Sequence, residues 1–515
     1  MLKRNLLLIC LSALLIVSGS SCENKKEKIN KKPNVIYILA DDLGYSELGV
    51  YGQKKIETPN IDQLAREGMK FTQHYAGAPV CAPSRCVLLT GKHLGHSQVR
   101  GNDEWGSRGK VWDYKAMIAD SILEGQRPLR TGTVTIGRLL QQAGYKTAVV
   151  GKWGLGAPHT DGVPNRQGFD YFFGYNCQRM SHTYYPVHLW ENYHRYHLSN
   201  DTVAPHTGFE KGADPYDIKS YSKYHLKEYS PDLMFNAITN FVDANKEGPF
   251  FLYWATPIPH APLQAPKRWV DYYVKKFGDE KPYTGNKGYF PCRYPHATYA
   301  AMISYLDENV GKLVKQLKEL GIYDNTLIIF TSDNGPTYNG GTDSPWFDSA
   351  HPFRSGYGKG KGFVYEGGIR VPMIAEWPGK IKPGSESDHI SVFYDVLPTL
   401  CDIAGVEKPK DTDGISFMPV LLGDKQKEHE YLYWEFPEYG GQIAVRMGKW
   451  KAVCENVKKK NNYTFELYDL ENDITESTDV AAEHPDIIAK VKEIVKAQHV
   501  ESPNPRWQFK VLGDE

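Results

Sequence analysis

The chain has 515 residues, with 61 Lys and Arg against 61 Asp and Glu, so its formal net charge is zero. Hydrophobic residues make up 41% and charged residues 24%, the balance of a folded globular protein. That composition excludes a largely disordered chain, a collagen-like fibre and a polytopic membrane protein, and the neutral charge gives nucleic acid no basic footprint.

The first stretch reads as an address. Lys3 and Arg4 precede an apolar run over residues 6–17, then small residues 18–21 and Cys22. The run is too short to span a bilayer and has the proportions of a signal peptide. Cys22 after small residues resembles a bacterial lipoprotein cleavage site, where the cysteine is lipidated and becomes the mature N-terminus. Gly19 departs from that pattern, so plain cleavage nearby is the alternative. Residues 1–22 are therefore expected to be removed or lipidated, and the Lys-rich residues 23–32 to form a solvated tether. The expected place is the bacterial cell envelope, periplasmic or as an outer-membrane lipoprotein that could face outward, with a lipid anchor as its only membrane attachment. Six further cysteines (Cys81, Cys86, Cys177, Cys292, Cys401 and Cys454) are scattered without a CxxC, which argues against a zinc or redox site.

Residues 34–40 (NVIYILA) form a continuous apolar run, as expected of a strand covered on both faces. Residues 146–150, 249–254 and 326–331 read the same way. Ile136, Leu139, Leu140 and Ala143 have helical spacing, closed by Gly144. A second helical pattern begins at Met302 and runs to Gly321. Strands alternating with helices predict a large, mostly parallel sheet sandwiched by helices. From about residue 423 the pattern changes to short strands at 430–436, 442–447, 450–454 and 464–468, then an amphipathic helix at 485–498. The expected division is an α/β unit over 33–422 and a smaller antiparallel sheet with a helix over 423–515.

The chemistry-bearing residues stand where predicted strands end, and in open α/β sheets ligands bind outside the carboxyl ends of the strands. The first strand ends in Asp41-Asp42, another in Asp333-Asn334, a third in Gly151-Lys152, a fourth runs on to His260. One Asp after a strand is commonly a turn former or cap. Four such tips at one edge give three carboxylates and an amide oxygen, a hard cage suited to Ca²⁺ or Mg²⁺, with a lysine and a histidine for an anionic substrate. Pro83 fits the first turn of a helix and Gly91 its end, which puts Cys81 at a helix N-terminus that favours anions. The local features leave two readings: a thiol with a lowered pKa, or an inert buried one.

The segment Cys81-Ala82-Pro83-Ser84-Arg85, followed by Leu89-Thr90-Gly91, matches a signature. It resembles that of the formylglycine-dependent sulfatases, of the alkaline phosphatase superfamily, and the other tips follow in that family's order. Glu366 to Pro372 and Glu466 to Leu470 are similar to further family stretches. The resemblance implies that a maturase oxidises Cys81 to formylglycine, whose hydrate attacks sulfur, with S–O cleavage through a sulfo-enzyme. It implies Ca²⁺ held by Asp41, Asp42, Asp333, Asn334 and the modified Cys81, a hydrogen bond from Arg85 to the modified residue, a sulfate clamp of Lys152 and Lys361, and His260 as the acid for the leaving oxygen. The family commonly has Gly-Lys-Trp-His-Leu-Gly where this chain reads Gly151-Lys152-Trp153-Gly154-Leu155-Gly156, so the histidine that the resemblance would place on the diol and sulfate is missing; either another group such as His93, His96 or His182 takes its place or the site is rearranged.

Residues 168–190 are dense in aromatic, His and Arg side chains and read either as a long packed loop or as a sugar-binding wall with Arg179 and His182. His96, Arg100 and Asn102 are further candidates for the sugar. The expected substrates are sulfated galactose or N-acetylgalactosamine units of mucins or glycosaminoglycans. A phosphomonoester or phosphonate hydrolase of the same superfamily, and a non-catalytic glycan-binding protein with Cys81 unmodified, are the rival readings.

Overall fold

A computed structural model of the protein describes residues 32–515, which form one compact unit. The signal-peptide and lipidation expectations lie outside the described residues. Eleven strands make one sheet: β1 (Asn34–Ala40), β2 (Met69–Tyr75), β3 (Lys146–Lys152), β4 (Tyr171–Tyr175), β5 (His188–Glu191), β6 (His194–His197), β7 (Phe250–Ala255), β8 (Thr326–Ser332), β9 (Arg370–Glu376), β10 (Ser385–Ser387) and β11 (Ser391–Val392). Their order is β10-β2-β9-β8-β1-β7-β3-β4-β5-β6, with β11 beside β2. The middle five, β8-β1-β7-β3-β4, are parallel. Antiparallel pairs flank them, β9 on β8 and β2 on β9 at one side, β5 on β4 and β6 on β5 at the other.

The unbroken apolar reading of β1 follows from burial on both faces. All seven of its residues are buried. Val35, Tyr37 and Leu39 face one apolar cluster with the helices Cys81–Thr90, Ile136–Gln142 and Val396–Ala404. Ile36, Ile38 and Ala40 face another with Ser230–Ala244 and Pro295–Glu319. A period-2 strand between two helical layers has no polar side to show. The Pro295–Glu319 helix begins earlier than its apolar pattern implies, because Pro295 supplies the first turn and Ala297, Tyr299 and Ala300 are already buried.

Of the two readings of residues 168–190, neither a single long loop nor a continuous wall describes them, because strands take up both ends. Phe172, Phe173 and Tyr175 lie in or end β4, Trp190 lies in β5, and Tyr184 is fully buried between them. Most of that aromatic density is core. The six cysteines among the described residues are all free and buried. No helix among these residues is long and apolar enough to cross a membrane.

The C-terminal strands β12 (Leu432–Phe436), β13 (Gln442–Met447), β14 (Trp450–Glu455) and β15 (Glu466–Asp469) form a four-stranded antiparallel sheet. Val491, Ile494 and Val495 of the Pro485–Gln498 helix cover it. A buried ion cluster ties this sheet to the larger one. Lys451 Nζ on β14 lies 2.8 Å from Glu366 Oε1 and 2.9 Å from a Glu476 oxygen. Glu366 Oε2 accepts from Tyr75 Oη at 2.7 Å and from Arg370 Nη1 at 3.1 Å. Removing the lysine would leave two carboxylates buried against each other. Lys451→Met is expected to destabilise by about 3–5 kcal/mol, read as a lower urea midpoint. A midpoint unchanged from wild type would show that the cluster does not hold the two sheets together.

Candidate active site

The strand order brings the chemical tips side by side. β8, β1, β7 and β3 are consecutive neighbours, and their carboxyl ends carry Asp333-Asn334, Asp41-Asp42, the turn to His260, and Lys152. Backbone bonds lock the tips: Asp333 N–H donates to Ala40 O, and Asp41 N–H to Ile258 O, both at 3.0 Å. Gly151 lets β3 approach. Its φ is +122°, and a Cβ there would fall 1.9 Å from Ala255 O on β7. Asp42 sits at φ +67°, a left-handed conformation that Asp tolerates and bulkier residues resist.

Cys81 begins the Cys81–Thr90 helix, whose end is Gly91 at φ +65°. The whole helix is buried, so its N-terminus opens into the cluster of tips. The Cys81 thiol donates to Asp41 Oδ1 at 3.3 Å, and Lys152 Nζ lies 3.6 Å from the sulfur. Burial, with Asp41 alongside, pushes the thiol well above its ordinary range. The expectation of a lowered thiol pKa is therefore corrected: desolvation and the carboxylate outweigh Lys152 and Lys361. As a thiol, this side chain is a poor nucleophile.

Three carboxylates face three cations. Lys152 Nζ lies 2.6 Å from Asp41 Oδ2, and Lys361 Nζ lies 2.7 Å from Asp42 Oδ2. Arg85 donates to Asp333 Oδ2 from Nε at 3.1 Å and from Nη2 at 2.9 Å, and Nη1 bonds the Lys152 carbonyl. Arg85 thus braces the β8 and β3 tips, while Cys81 is met by Asp41 and Lys152. Burial alone would raise Asp41, but Lys152, His260, Arg85 and Lys361 hold it well below the carboxylate range. Asp333 goes the other way, up to about 6, through burial and the neighbouring Asp41 charge.

The donor set fits a hard divalent cation. Asp41, Asp42, Cys81 and His260 offer ligand atoms within 4.8 Å of one another. Asn334 donates from Nδ2 to Asp42 Oδ1 at 2.8 Å, and its Oδ1 is buried with no donor. Crowded carboxylates plus an orphaned amide oxygen are what such a cation satisfies. With cationic and anionic side chains already balanced, the added ion would leave the cluster positive and ready for an anion.

His260 stands at the edge of this cluster. Its Nδ1 lies 2.6 Å from Ala261 O, which can only accept, so Nδ1 carries a proton and Nε2 faces Asp42 Oδ2 at 3.6 Å. Burial first, then Lys361 and Lys152, push His260 down to about 4. His182 stacks on His260, with ring centroids 5.5 Å apart and planes 16° from parallel. Tyr289 meets both rings edge-on, at 5.0 Å from His182 and 5.7 Å from His260. No sequence motif marks Tyr289, which a distant loop delivers.

The other expected sugar contacts divide. Asn102 Oδ1 accepts from Ala82 N–H at 3.1 Å, one residue from Cys81. Arg179 lies over the Trp112 ring, 4.4 Å from its centroid, with Nη2 on the Trp112 carbonyl. Arg100 is turned elsewhere: its three nitrogens are engaged by Ser97 O, Glu435 Oε1 and Gly95 O. His96 pairs with Asp413 at 2.9 Å. His93 is held by Gln498 and Gly95 N–H. The surroundings of Gly154 answer what replaces the missing histidine. A Cβ there would lie 3.1 Å from both Gln126 Oε1 and Gln178 Nε2, so two glutamines fill the space. None of the three candidate histidines does. Neither glutamine had a sequence signal, since the contact joins three separate segments.

A family model described as "Sulfatase" matches residues 33–406, and one described as "N-sulphoglucosamine sulphohydrolase, C-terminal" matches residues 357–501. The chain is 29% identical to an N-acetylgalactosamine-6-O-sulfatase of Bacteroides thetaiotaomicron, across 95% of this chain and 98% of that protein. It is 32% identical to arylsulfatase A of Homo sapiens, across 82% of this chain and 75% of that one. Among solved structures, Ps i-CgsB superposes with a TM-score of 0.71 at 28% identity, covering 94% of this chain and 95% of that one. The same protein in complex with k-i-k-neocarrahexaose superposes equally well.

Proposed function

Since the chain belongs to the sulfatase family, we propose that this sulfuric-ester hydrolase removes sulfate from galactose or N-acetylgalactosamine units of a glycan, with Cys81, oxidised to formylglycine, as nucleophile. The observation that carries the reading is the Cys81 helix start opening onto four strand tips, with Lys152 3.6 Å from its sulfur and Lys361 paired to Asp42 alongside. The choice of sugar rests on what the relatives act on or bind: N-acetylgalactosamine 6-sulfate by name, and a neocarrahexaose in a solved complex.

A sulfate ester is a monoanion with its charge spread over three oxygens. Lys152 and Lys361 can turn from Asp41 and Asp42 toward those oxygens, which supplies preorganised electrostatic stabilisation. Asp41, Asp42, Asp333 and Asn334 would hold a divalent cation, with Ca²⁺ our assignment; when bound it would polarise the sulfate as a Lewis acid. Formylglycine supplies the hydrated aldehyde that a thiol cannot. His260 moves the proton. With Nδ1 fixed on Ala261 O, only Nε2 can deliver one to the leaving sugar oxygen. Burial first and the two lysines after it hold His260 down, and an anion seated against the lysines offsets their field and favours the protonated ring.

We further propose that residues 1–22 direct export and that Cys22 carries a lipid anchor in the cell envelope. The test of function is a panel of monosulfated sugars, differing in ring and position, offered to protein co-produced with a formylglycine-generating maturase. Turnover of galactose or N-acetylgalactosamine sulfates, O6 esters first, is expected, with a matched phosphate ester turned over more slowly. Faster turnover of the phosphate ester would assign the site to phosphoryl transfer. Silence across the whole sulfate panel would remove the reading.

A further inference from the structure

In the loop after β3, Gly154 stands against an amide relay. Gln126 is 1% exposed and Gln178 5% exposed. Backbone donors orient Asn102 and Gln126, and Asn102 in turn orients Gln178. Ala82 N–H donates to Asn102 at 3.1 Å, so the atom facing it is Oδ1. Gln178 N–H donates to Gln126 at 3.1 Å, so that atom is Oε1. Gln178 Nε2 then donates to the same Asn102 Oδ1 at 3.2 Å.

Two consequences follow from these fixed orientations. First, Asn102 Oδ1 is pinned by two donors, and its amide nitrogen must point away from both. That nitrogen carries two N–H groups one residue from Cys81, in a side chain only partly buried. Second, Gln126 Nε2 is buried and finds no acceptor. The relay therefore holds more N–H donors than the protein satisfies. A surplus of neutral donors beside Lys152 and a helix N-terminus suits an anion. Gly154, at φ +77°, leaves room for the relay that any side chain would invade.

We propose that the Asn102 carboxamide contacts the sulfate of the bound ester in place of the absent histidine, and that Gln178, itself held by Gln126, is its positioning residue. The inference rests on the sulfate-ester reading of the site. Wild-type turnover tests that reading on its own, and the ranking of Asn102 variants tests the inference.

The experiment measures kcat/KM on the best sulfated sugar, and the inhibition constant of inorganic sulfate, for matured wild type, Asn102→Ala, Asn102→Asp and Gln178→Ala. Melting temperatures confirm folding. Asn102→Ala is expected to lower kcat/KM by about 10- to 100-fold and to weaken sulfate inhibition in parallel, as losing a hydrogen bond to a charged group does. Asn102→Asp keeps the oxygen that Ala82 and Gln178 need but turns a negative charge to the anion. It should therefore be worse than alanine in both readouts. A purely structural Asn102 gives the opposite ranking, with Asp close to wild type, and that ranking overturns the proposal. Should Asn102→Asp fail to fold, Gln178→Ala decides. It frees one of the two anchors on Oδ1 and should weaken sulfate inhibition with the fold intact. An unchanged inhibition constant overturns the proposal.

Discussion

Lys152→Ala is expected to lower kcat/KM by about three orders of magnitude while the protein stays folded. The side chain is fully buried at the end of β3, 2.6 Å from Asp41 Oδ2 and 3.6 Å from Cys81 Sγ. Removing one preorganised donor from a site that stabilises a developing anion costs about 10²–10³ in rate. Here the donor is a full charge out of water, so the upper end applies. Burial alone would lower the Lys152 pKa, yet Asp41 beside it raises it above the ordinary lysine value, so the side chain is an ammonium. Lys152→Arg should not rescue, because Arg85 already occupies position 152's carbonyl and Asp333 and lies 3.4 Å from Asp41 Oδ2, so a second guanidinium would have to crowd against it for that one carboxylate. Part of the alanine effect is structural: Asp41 loses the cation most responsible for holding its carboxyl ionised. Lys152→Met keeps the apolar stem and the packing, so its rate loss isolates the charge. A kcat/KM within tenfold of wild type for the methionine variant would mean that Lys152 only neutralises Asp41 and never reaches the substrate.

The parts of this site that read directly from the chain are those that secondary structure alone positions. Asp41-Asp42 and Asp333-Asn334 follow strands whose apolar runs are unbroken, and parallel neighbours must end at the same edge. Pro83 and Gly91 bracket the Cys81 helix for purely local reasons. The Pro485–Gln498 helix is legible because its outer face is exposed and the periodicity survives, whereas the C-terminal strands are covered on both faces and read only as short β-rich runs. β9 is less legible, since Arg370–Glu376 contains Pro372 and two charged ends yet is wholly buried; its Arg370 is met by Glu366 and by the Thr72 carbonyl of β2. Residues 168–190 misled for the opposite reason. Their aromatics belong to β4, β5 and the core, and composition cannot tell a wall that faces a ligand from one that faces Leu189. Arg100 carries the same lesson, because a guanidinium near the nucleophile in sequence is engaged by Glu435 from the far C-terminal sheet. The Gln126–Gln178–Asn102 relay was beyond reach, because each glutamine acts only through a neighbour that the fold supplies.

Cys81→Ala is expected to abolish turnover, a loss of about five to six orders of magnitude in kcat, comparable to deleting the nucleophile of other covalent hydrolases. The same loss is expected without any mutation when the protein is produced without a maturase. The reason lies in the surroundings of the thiol. Burial and Asp41 keep it protonated, and the nearest cation, Lys152, lies closer to Asp41 than to the sulfur. An unmodified thiol here is therefore neither a thiolate nor a good leaving platform once sulfated, whereas a hydrated aldehyde has a second hydroxyl to expel the group it accepted. The two preparations share every charge, strand tip and apolar contact, so a difference between them belongs to one side chain. Mass analysis of the peptide containing Cys81 should show the lighter formylglycine form in the active preparation and the thiol in the inactive one, with activity proportional to the converted fraction. Equal activity in both preparations would transfer the chemistry to another nucleophile. A converted but silent enzyme would instead indicate that the site binds sulfated glycans without cleaving them.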